Sequence, residues 1–164
     1  MKILDLLKNV NYKKIEGKDR EIKNLHYNHQ EVTKDSMFFC IQGSKTDGHS
    51  FAQSAVDNGA TALIVSKEVE VKGDVTKIYV DDTREAMALI SANYFNNPTN
   101  KLDIIGITGT NGKTTSTFMM KSILDKAKFN TGLIGTIYNI YGDTIEESKR
   151  TTPESMDLQK IFQK

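Results

Sequence analysis

The sequence of 164 residues has the size of one ordinary domain or two small ones, and its composition, 38% hydrophobic and 26% charged, is globular rather than disordered. Its 22 basic and 21 acidic residues give a net charge of +1, which excludes the strongly basic surface of a protein that binds nucleic acid or an anionic membrane. A single cysteine excludes an internal disulfide, and without a secretory signal or a membrane-length apolar run a cytoplasmic protein is expected.

The first part of the chain predicts an alternation of short helices and strands. We predict a helix over residues 3 to 7, strands over 21 to 27, 37 to 41 and 62 to 65, a polar loop over 44 to 48, and a helix from Ser50 to Asn58 that Gly59 ends. Cys40 lies in the second of these strands, where a buried apolar residue is expected rather than a reactive thiol.

A further strand over residues 75 to 80 leads into a helix with a strong start signal. Asp82 is the predicted N-cap, Glu85 follows three residues later as in a reciprocal capping box, and the helix should run to about Asn96. Pro98 disfavours helical backbone in the residue before it. We therefore place a domain boundary here and predict two domains, residues 1–97 and 98–164.

The second domain is predicted to begin as a parallel strand, helix and strand. The apolar run over residues 102 to 108 is the first strand, a helix-forming segment begins at Ser116, and residues 131 to 137 form the second strand. Met119, Met120 and Ile123 recur at helical spacing, so we expect them in the core.

A hairpin around Gly142 and a last helix complete the predicted elements. The hairpin covers residues 138 to 145, and the helix has Thr152 as its cap and Pro153 in its first position. Too few residues follow Lys113 to complete a parallel sheet with helices on both faces. We therefore expect the nucleotide-binding domain to be truncated and the chain to be a fragment of a longer protein.

The segment between the first strand and helix of the second domain has the pattern of a phosphate-binding loop, Gly109-Thr110-Asn111-Gly112-Lys113-Thr114-Thr115. Glycines let the backbone aim its N–H groups at an anion, and the first turn of the helix adds free donors. Lys113 can reach the outer phosphates, and Thr114 stands where P-loop proteins bind Mg²⁺. The pattern predicts ATP or GTP with magnesium. The alternative is a plain glycine turn with a solvated lysine.

The histidines and Arg150 are weaker signals. His26 and His29 lie at a strand end, where their spacing points them to opposite faces and argues against a shared metal. His49 follows a turn, and both a structural or substrate contact and a solvated side chain stay open. The charged segment over residues 146 to 150 is predicted to be solvated, although Arg150 could contact a phosphate.

The whole chain resembles the amino-terminal part of the Mur ligase family, in particular the members that add the third amino acid to UDP-N-acetylmuramoyl dipeptide. The residues that carry the resemblance are Asp47-Gly48-His49 with Phe51, Asn58-Gly59-Ala60, the run from Ile107 to Thr115, Gly132-Leu133-Ile134-Gly135-Thr136, and Thr151-Thr152-Pro153-Glu154-Ser155. They occur in the order in which the family has them.

The resemblance implies an ATP-dependent ligase of peptidoglycan synthesis that works through an acyl phosphate, with Mg²⁺, UDP-N-acetylmuramoyl dipeptide and an amino acid as its other requirements. Residues 1–97 would form the lobe that binds the UDP part of the substrate, and residues 98–164 the first part of the central ATP-binding domain. Lys113 would be catalytic, Thr114 would hold Mg²⁺, and Thr151 and Thr152 would contact the substrate. The remaining domains are expected downstream, so this segment alone should be inactive.

One departure and two alternatives accompany this interpretation. The family usually has Asp-Ser-Arg after the early strand, where the serine contacts the uridine nucleotide, whereas this chain has Asn28-His29-Gln30, and we do not transfer that role. A non-catalytic module that binds a nucleotide or UDP is one alternative. A ligase similar to folylpolyglutamate synthase, which shares the short P-loop, is the other.

Overall fold

The computed structural model describes residues 1–43, 46–148 and 150–164, and these divide into two compact units, Met1–Asn97 and Pro98–Lys164. The elements of the first unit are helices α1 (Ile3–Leu6), α2 (Ala52–Asp57) and α3 (Thr83–Tyr94), strands β1 (Lys14–Glu16), β2 (Asn24–His26), β3 (Ser36–Phe39), β4 (Ala60–Val65) and β5 (Thr76–Tyr79), and the 3-10 turns His29–Glu31 and Gly48–Phe51. No helix of the described residues is both long and apolar enough to cross a membrane.

The first unit is built on a mostly parallel sheet in the order β1-β5-β4-β3-β2. Strands β2 to β5 pair in parallel, and β1 pairs antiparallel with β5 at one edge. This confirms the predicted α/β class. Each predicted strand is present with bounds shifted by a few residues, whereas β1 was not predicted because it holds a single apolar residue, Ile15, between Lys14 and Glu16.

The core of the first unit lies on both faces of this sheet. Phe38 and Leu63 belong to an apolar cluster that includes residues of α2. The alternate strand residue Met37 is fully buried and, by strand geometry, points to the opposite face, where α3 contacts β3 and β4. A parallel sheet covered on both faces explains why its central strands are continuously apolar.

The start of α3 and the end of α2, both predicted from local sequence signals, have the expected geometry. The Asp82 side chain accepts hydrogen bonds from the backbone N–H groups of Arg84 and Glu85, which confirms it as the cap of α3. Gly59 has a φ of +112°, and a Cβ there would lie 2.9 Å from the Lys34 Cα. Both conformation and space therefore require glycine after α2.

Charged side chains surround the edge strand β1. The Lys14 Nζ lies 2.8 Å from the Glu16 Oε1 and 2.9 Å from the Glu68 Oε1. The Tyr79 hydroxyl lies 2.7 Å from a carboxylate oxygen of Glu68 and 3.0 Å from one of Glu16, so its single proton is shared between the two acceptors, and the Lys14 ammonium lies 4.1 Å from the centre of the Tyr79 ring. One side of the sheet edge is thus occupied by a paired charge network.

The second unit contains a small antiparallel sheet and two helices. Its elements are the 3-10 turn Pro98–Lys101, helices α4 (Lys113–Lys126) and α5 (Ser155–Phe162), and strands β6 (Leu133–Ile134), β7 (Tyr138–Tyr141) and β8 (Thr144–Glu147). The sheet order is β6-β7-β8, and both pairs are antiparallel. The predicted hairpin is confirmed, with Tyr141 opposite Thr144 and Gly142 at a φ of +52° in the turn.

The predicted parallel crossover of the second unit is wrong for the described structure. Residues 102 to 109 adopt neither helix nor strand, and Ile104 and Ile105 are 56% and 60% exposed. The predicted strand over residues 131 to 137 is reduced to β6, which pairs antiparallel with β7. A parallel strand needs neighbours for its backbone hydrogen bonds, and in the described chain no strand pairs with residues 102 to 108.

Two helix predictions in this unit are also corrected. Met119 and Ile123 of α4 are 61% and 65% exposed, so the predicted core position is wrong for both. The last helix begins at Ser155 after Glu154, which makes no side-chain cap, so Thr152 is not its cap and Pro153 is not its first residue. These two apolar side chains of α4 therefore face solvent and not the core that their spacing predicts.

Candidate functional site

The loop before α4 is shaped by two glycines at positive φ. Gly109 has a φ of +153° and Gly112 a φ of +77°. A Cβ at Gly112 would meet nothing within 4 Å, so the requirement for glycine comes from the backbone conformation and not from lack of space. Gly112 precedes the first residue of α4, Lys113, and its carbonyl accepts from the Ser116 N–H at 2.8 Å. The helix therefore begins before the predicted Ser116.

This early start places the first turn of α4 against the loop. The N–H groups of Lys113, Thr114 and Thr115 precede the first hydrogen bond inside the helix, so helix geometry leaves them without an internal acceptor. The amino-terminal end of a helix also carries partial positive charge. An anion in front of this turn would be stabilised by both effects.

The Lys113 ammonium is held over the same loop. Its Nζ donates to the Gly109 carbonyl oxygen at 2.6 Å and lies 3.4 Å from the Thr110 carbonyl oxygen. Lys113 also lines a cavity in front of this turn, where it is the one cationic side chain contributed by the described residues, and a phosphate oxygen there would compete with the neutral carbonyls for its ammonium.

A cavity of about 270 Å³ opens in front of this turn. Its lining residues are Thr110, Asn111, Gly112, Lys113, Thr114, Thr115, Thr136 and Thr151. Among the described residues, the lining thus consists of five hydroxyls, one carboxamide, one ammonium and backbone, with no acidic side chain. Such a set of donors is suited to an anion that needs several hydrogen bonds.

The structure brings together most of the site residues predicted from the sequence. Residues 110 to 115 and Thr151 line one cavity, Gly109 contributes its carbonyl to Lys113, and Thr152 is exposed and outside the lining. Thr136 was missed as a site residue. The signal that could have identified it is that Thr136 ends Gly132-Leu133-Ile134-Gly135-Thr136, one of the segments that carry the family resemblance.

Thr114 lies in the cavity lining, as its predicted role toward Mg²⁺ requires. Among the described residues there is no cluster of three or more histidine, cysteine or acidic side chains that could hold a metal. A single hydroxyl is nevertheless compatible with Mg²⁺, which keeps several waters and binds phosphate oxygens as well as protein. The donors present therefore fit a magnesium ion that arrives with a nucleotide.

Arg150, which could have contacted a phosphate, is paired in the structure with an acidic residue of its own segment. Its Nη1 lies 2.8 Å from the Glu154 Oε1.

His49 of the first unit is buried, so the solvated-turn interpretation is wrong. Its side chain is 3% exposed, its Nδ1 lies 2.6 Å from the Asp47 Oδ1, and its Nε2 accepts from the Ser66 N–H at 3.0 Å. The Asp47 carboxylate also accepts from Lys67 at 2.6 Å. Lys67 first, and the backbone and side chain of His49 next, hold the pKa of the Asp47 carboxyl well below its usual range.

The tripeptide that departs from the family pattern has a defined local structure. The Asn28 side chain accepts from the Gln30 N–H, and the His29 ring stacks on Phe51 with centroids 4.3 Å apart. The His29 carbonyl accepts from the Asn58 side chain at 2.9 Å. His26 ends strand β2, whereas His29 begins the 3-10 turn that follows it.

Two models of Mur ligase domains match the chain. The model of the Mur ligase family, catalytic domain, matches residues 21–95, and the model of the Mur ligase middle domain matches residues 107–164. The second match includes every residue that lines the cavity.

Individual proteins give the same result. The chain is 50% identical over 163 residues to the UDP-N-acetylmuramoyl-L-alanyl-D-glutamate–2,6-diaminopimelate ligase of Clostridium perfringens, covering 99% of this chain and 34% of the relative. It is 49% identical to the ligase of the same name from Clostridium botulinum, covering 96% of this chain and 33% of the relative. The chain therefore spans about a third of the length of the curated relatives it matches.

Solved structures share the fold. A structure of UDP-N-acetylmuramoyl-L-alanyl-D-glutamate–2,6-diaminopimelate ligase aligns with a TM-score of 0.65 at 21% identity, over 87% of this chain and 29% of that one. A crystal structure of MurF from Acinetobacter baumannii aligns with a TM-score of 0.61 at 20% identity, over 98% of this chain and 32% of that one. At this identity the likeness concerns the fold alone.

Proposed function

We propose, on the premise that the chain belongs to the Mur ligase family, that it is the amino-terminal part of an ATP-dependent ligase that adds the third amino acid to UDP-N-acetylmuramoyl dipeptide in peptidoglycan synthesis. The observation that carries the proposal is the cavity at the start of α4, where the Lys113 ammonium, first-turn amides and five threonine hydroxyls face one space. In this proposal Met1–Asn97 binds the UDP part of the substrate, and Pro98–Lys164 begins the ATP-binding domain.

In the proposed reaction, an oxygen of the peptide carboxylate attacks the γ-phosphorus of ATP and ADP leaves. The amine of the incoming amino acid then attacks the carbonyl carbon of the resulting acyl phosphate, inorganic phosphate leaves, and the nitrogen gives up a proton to solvent to form the amide. Lys113 and the loop amides stabilise the negative charge on the transferring group. The Thr114 hydroxyl would hold a Mg²⁺ that arrives with the nucleotide, and this ion would neutralise part of the charge on the phosphates.

The matches over both units favour this proposal over the alternatives. Both units match Mur ligases, whereas a ligase similar to folylpolyglutamate synthase would need to match only in the second unit, which carries the P-loop. A separate nucleotide-binding or UDP-binding module is the other candidate, because the chain spans only about a third of the length of its relatives.

The proposal is tested by titrating the chain with Mg-ATP and with UDP-N-acetylmuramoyl dipeptide in a calorimeter, and by repeating both titrations with Lys113→Ala. Loss of a charge-assisted hydrogen bond should weaken Mg-ATP binding by about tenfold to a hundredfold, corresponding to roughly 1.5 to 3 kcal/mol. Lys126→Ala is the matched control, because it removes the same charge from the far end of the same helix. Equal affinities for Mg-ATP in all three proteins would contradict the assignment of the site.

A further inference from the structure

The cavity has a second wall that the phosphate-binding loop does not supply. It consists of Thr136, which follows β6, and Thr151, which precedes α5. Both residues are exposed, so their hydroxyl groups are accessible to a ligand in the cavity. The loop and helix wall is therefore faced by two neutral hydroxyls from separate parts of the unit.

These two hydroxyls are hydrogen-bonded to each other. The Thr136 Oγ1 donates to the Thr151 Oγ1 at 3.3 Å. A hydroxyl has one proton, so while Thr136 donates to Thr151, the proton of Thr151 must point away from Thr136. Because Thr151 lines the cavity, a proton directed into that space is available to an acceptor there, and the bond from Thr136 polarises it.

The backbone that carries Thr136 is better supported than the backbone that carries Thr151. Leu133 in β6 is buried, and β6 pairs with β7. Just before β6, the Thr131 carbonyl accepts from the Lys121 ammonium of α4 at 3.1 Å, which ties the start of this strand to the helix. Thr151 lies in irregular backbone before α5. Thr136 is thus placed to orient Thr151, rather than the reverse.

We infer that Thr136 is a positioning residue that holds the Thr151 hydroxyl as a donor toward the carboxylate of the peptide substrate. The inference rests on the proposed function, which places the nucleotide phosphates against Lys113 and the first turn of α4. The second wall then remains for the other anionic group of the reaction, and its uncharged hydroxyls can bind a carboxylate without the strong pairing that would oppose its attack on phosphorus.

The test is a set of NMR titrations of the isotope-labelled chain with UDP-N-acetylmuramoyl dipeptide and, separately, with Mg-ATP. Thr136→Val removes the hydroxyl and keeps the shape of the side chain, Thr136→Ser keeps the hydroxyl, and Thr144→Val on β8 is a control outside the cavity. Thr136→Val should weaken dipeptide binding by about threefold to tenfold and leave Mg-ATP binding within about twofold. Thr136→Ser and Thr144→Val should bind both ligands within about twofold of the original chain.

A double-mutant cycle with Thr151→Val separates positioning from an independent contact. If Thr136 acts through Thr151, the double variant binds the dipeptide no more weakly than Thr151→Val alone. The inference would be overturned if the losses in dipeptide affinity of the two single variants multiply in the double variant, or if Thr136→Val binds the dipeptide as tightly as the original chain. It would also be overturned if Thr136→Val loses equal affinity for both ligands, or if the original chain does not bind the dipeptide. An original chain that binds the dipeptide but not Mg-ATP would contradict the nucleotide site and leave the inference about the second wall standing.

Discussion

The buried contact between His49 and its neighbours should make a large contribution to the stability of the first unit. The His49 side chain is 3% exposed, its Nδ1 lies 2.6 Å from the Asp47 carboxylate, and its Nε2 accepts the Ser66 N–H at 3.0 Å. His49→Ala removes a bond to a charged group, worth about 1.5 kcal/mol, and leaves the Ser66 N–H without this acceptor, at a cost of about 1 kcal/mol. The lost packing adds to these, so we expect a destabilisation of roughly 3 kcal/mol.

Two conservative variants divide this effect between the two ring nitrogens. The amide nitrogen of His49→Asn can replace Nδ1 as the donor to Asp47, and the amide oxygen of His49→Gln can replace Nε2 as the acceptor from Ser66. Each variant should lose about half of what alanine loses, since each keeps one of the two bonds.

The assay is urea unfolding followed by circular dichroism, combined with hydrogen exchange of the Ser66 amide. Exchange at Ser66 should accelerate in the alanine and asparagine variants and stay slow in the glutamine variant, because only the glutamine keeps an acceptor for this N–H. An alanine variant within about 0.5 kcal/mol of the original chain, with unchanged exchange at Ser66, would refute the reasoning.

Three further outcomes are expected. The pKa of the Asp47 carboxyl is lowered, chiefly by Lys67. The stability that this carboxylate contributes is therefore present above the ordinary carboxyl pKa of about 4 and is lost as the pH falls toward the lower folded-state pKa. Urea midpoints at neutral and acidic pH should differ less in Asp47→Asn than in the original chain. Gly112→Ala should lower the stability of the second unit by about 1 kcal/mol in thermal unfolding and weaken Mg-ATP binding, because alanine is disfavoured at a φ of +77°, whereas Gly106→Ala, which also has open space, should have little effect. Burial raises the pKa of the Cys40 thiol to about 12, so a thiol reagent should label it slowly in the native chain and rapidly in guanidinium chloride; rapid native labelling would contradict the buried position.

Local signals in the sequence correctly predicted those features whose hydrogen bonds and backbone conformations involve only residues close to one another in the chain. The cap at Asp82, the glycine at position 59 and the hairpin turn at Gly142 each depend on side-chain hydrogen bonds or backbone conformations that neighbouring residues determine. The strands of the first unit were also predicted, because a sheet covered on both faces needs continuous apolar runs.

The failures occur where an element depends on distant partners. The run that contains Ile104 and Ile105 has the composition of a buried strand, but in the described chain it has no neighbouring strand to pair with. Met119 and Ile123 are exposed for the same reason, since a helix buries its apolar side only where a sheet or another helix covers it.

The sequence predicted the continuous loop segment of the candidate site, and the family resemblance added Thr151. The P-loop motif identified residues 110 to 115 because its mechanism requires consecutive residues. Thr136 joins them through the fold of β6 and β7, and no spacing in the sequence could place its hydroxyl beside that of Thr151.

The charge network around β1 also affects how copies of the chain meet. An edge strand offers unpaired N–H and C=O groups, and a second molecule could extend the sheet there by adding its own strand. In β1, Lys14 and Glu16 lie on either side of Ile15, and with Glu68 they place paired charges along a strand of only three residues. Another strand could pair there only by approaching these charges, so this edge resists the edge-to-edge aggregation to which exposed sheets are prone.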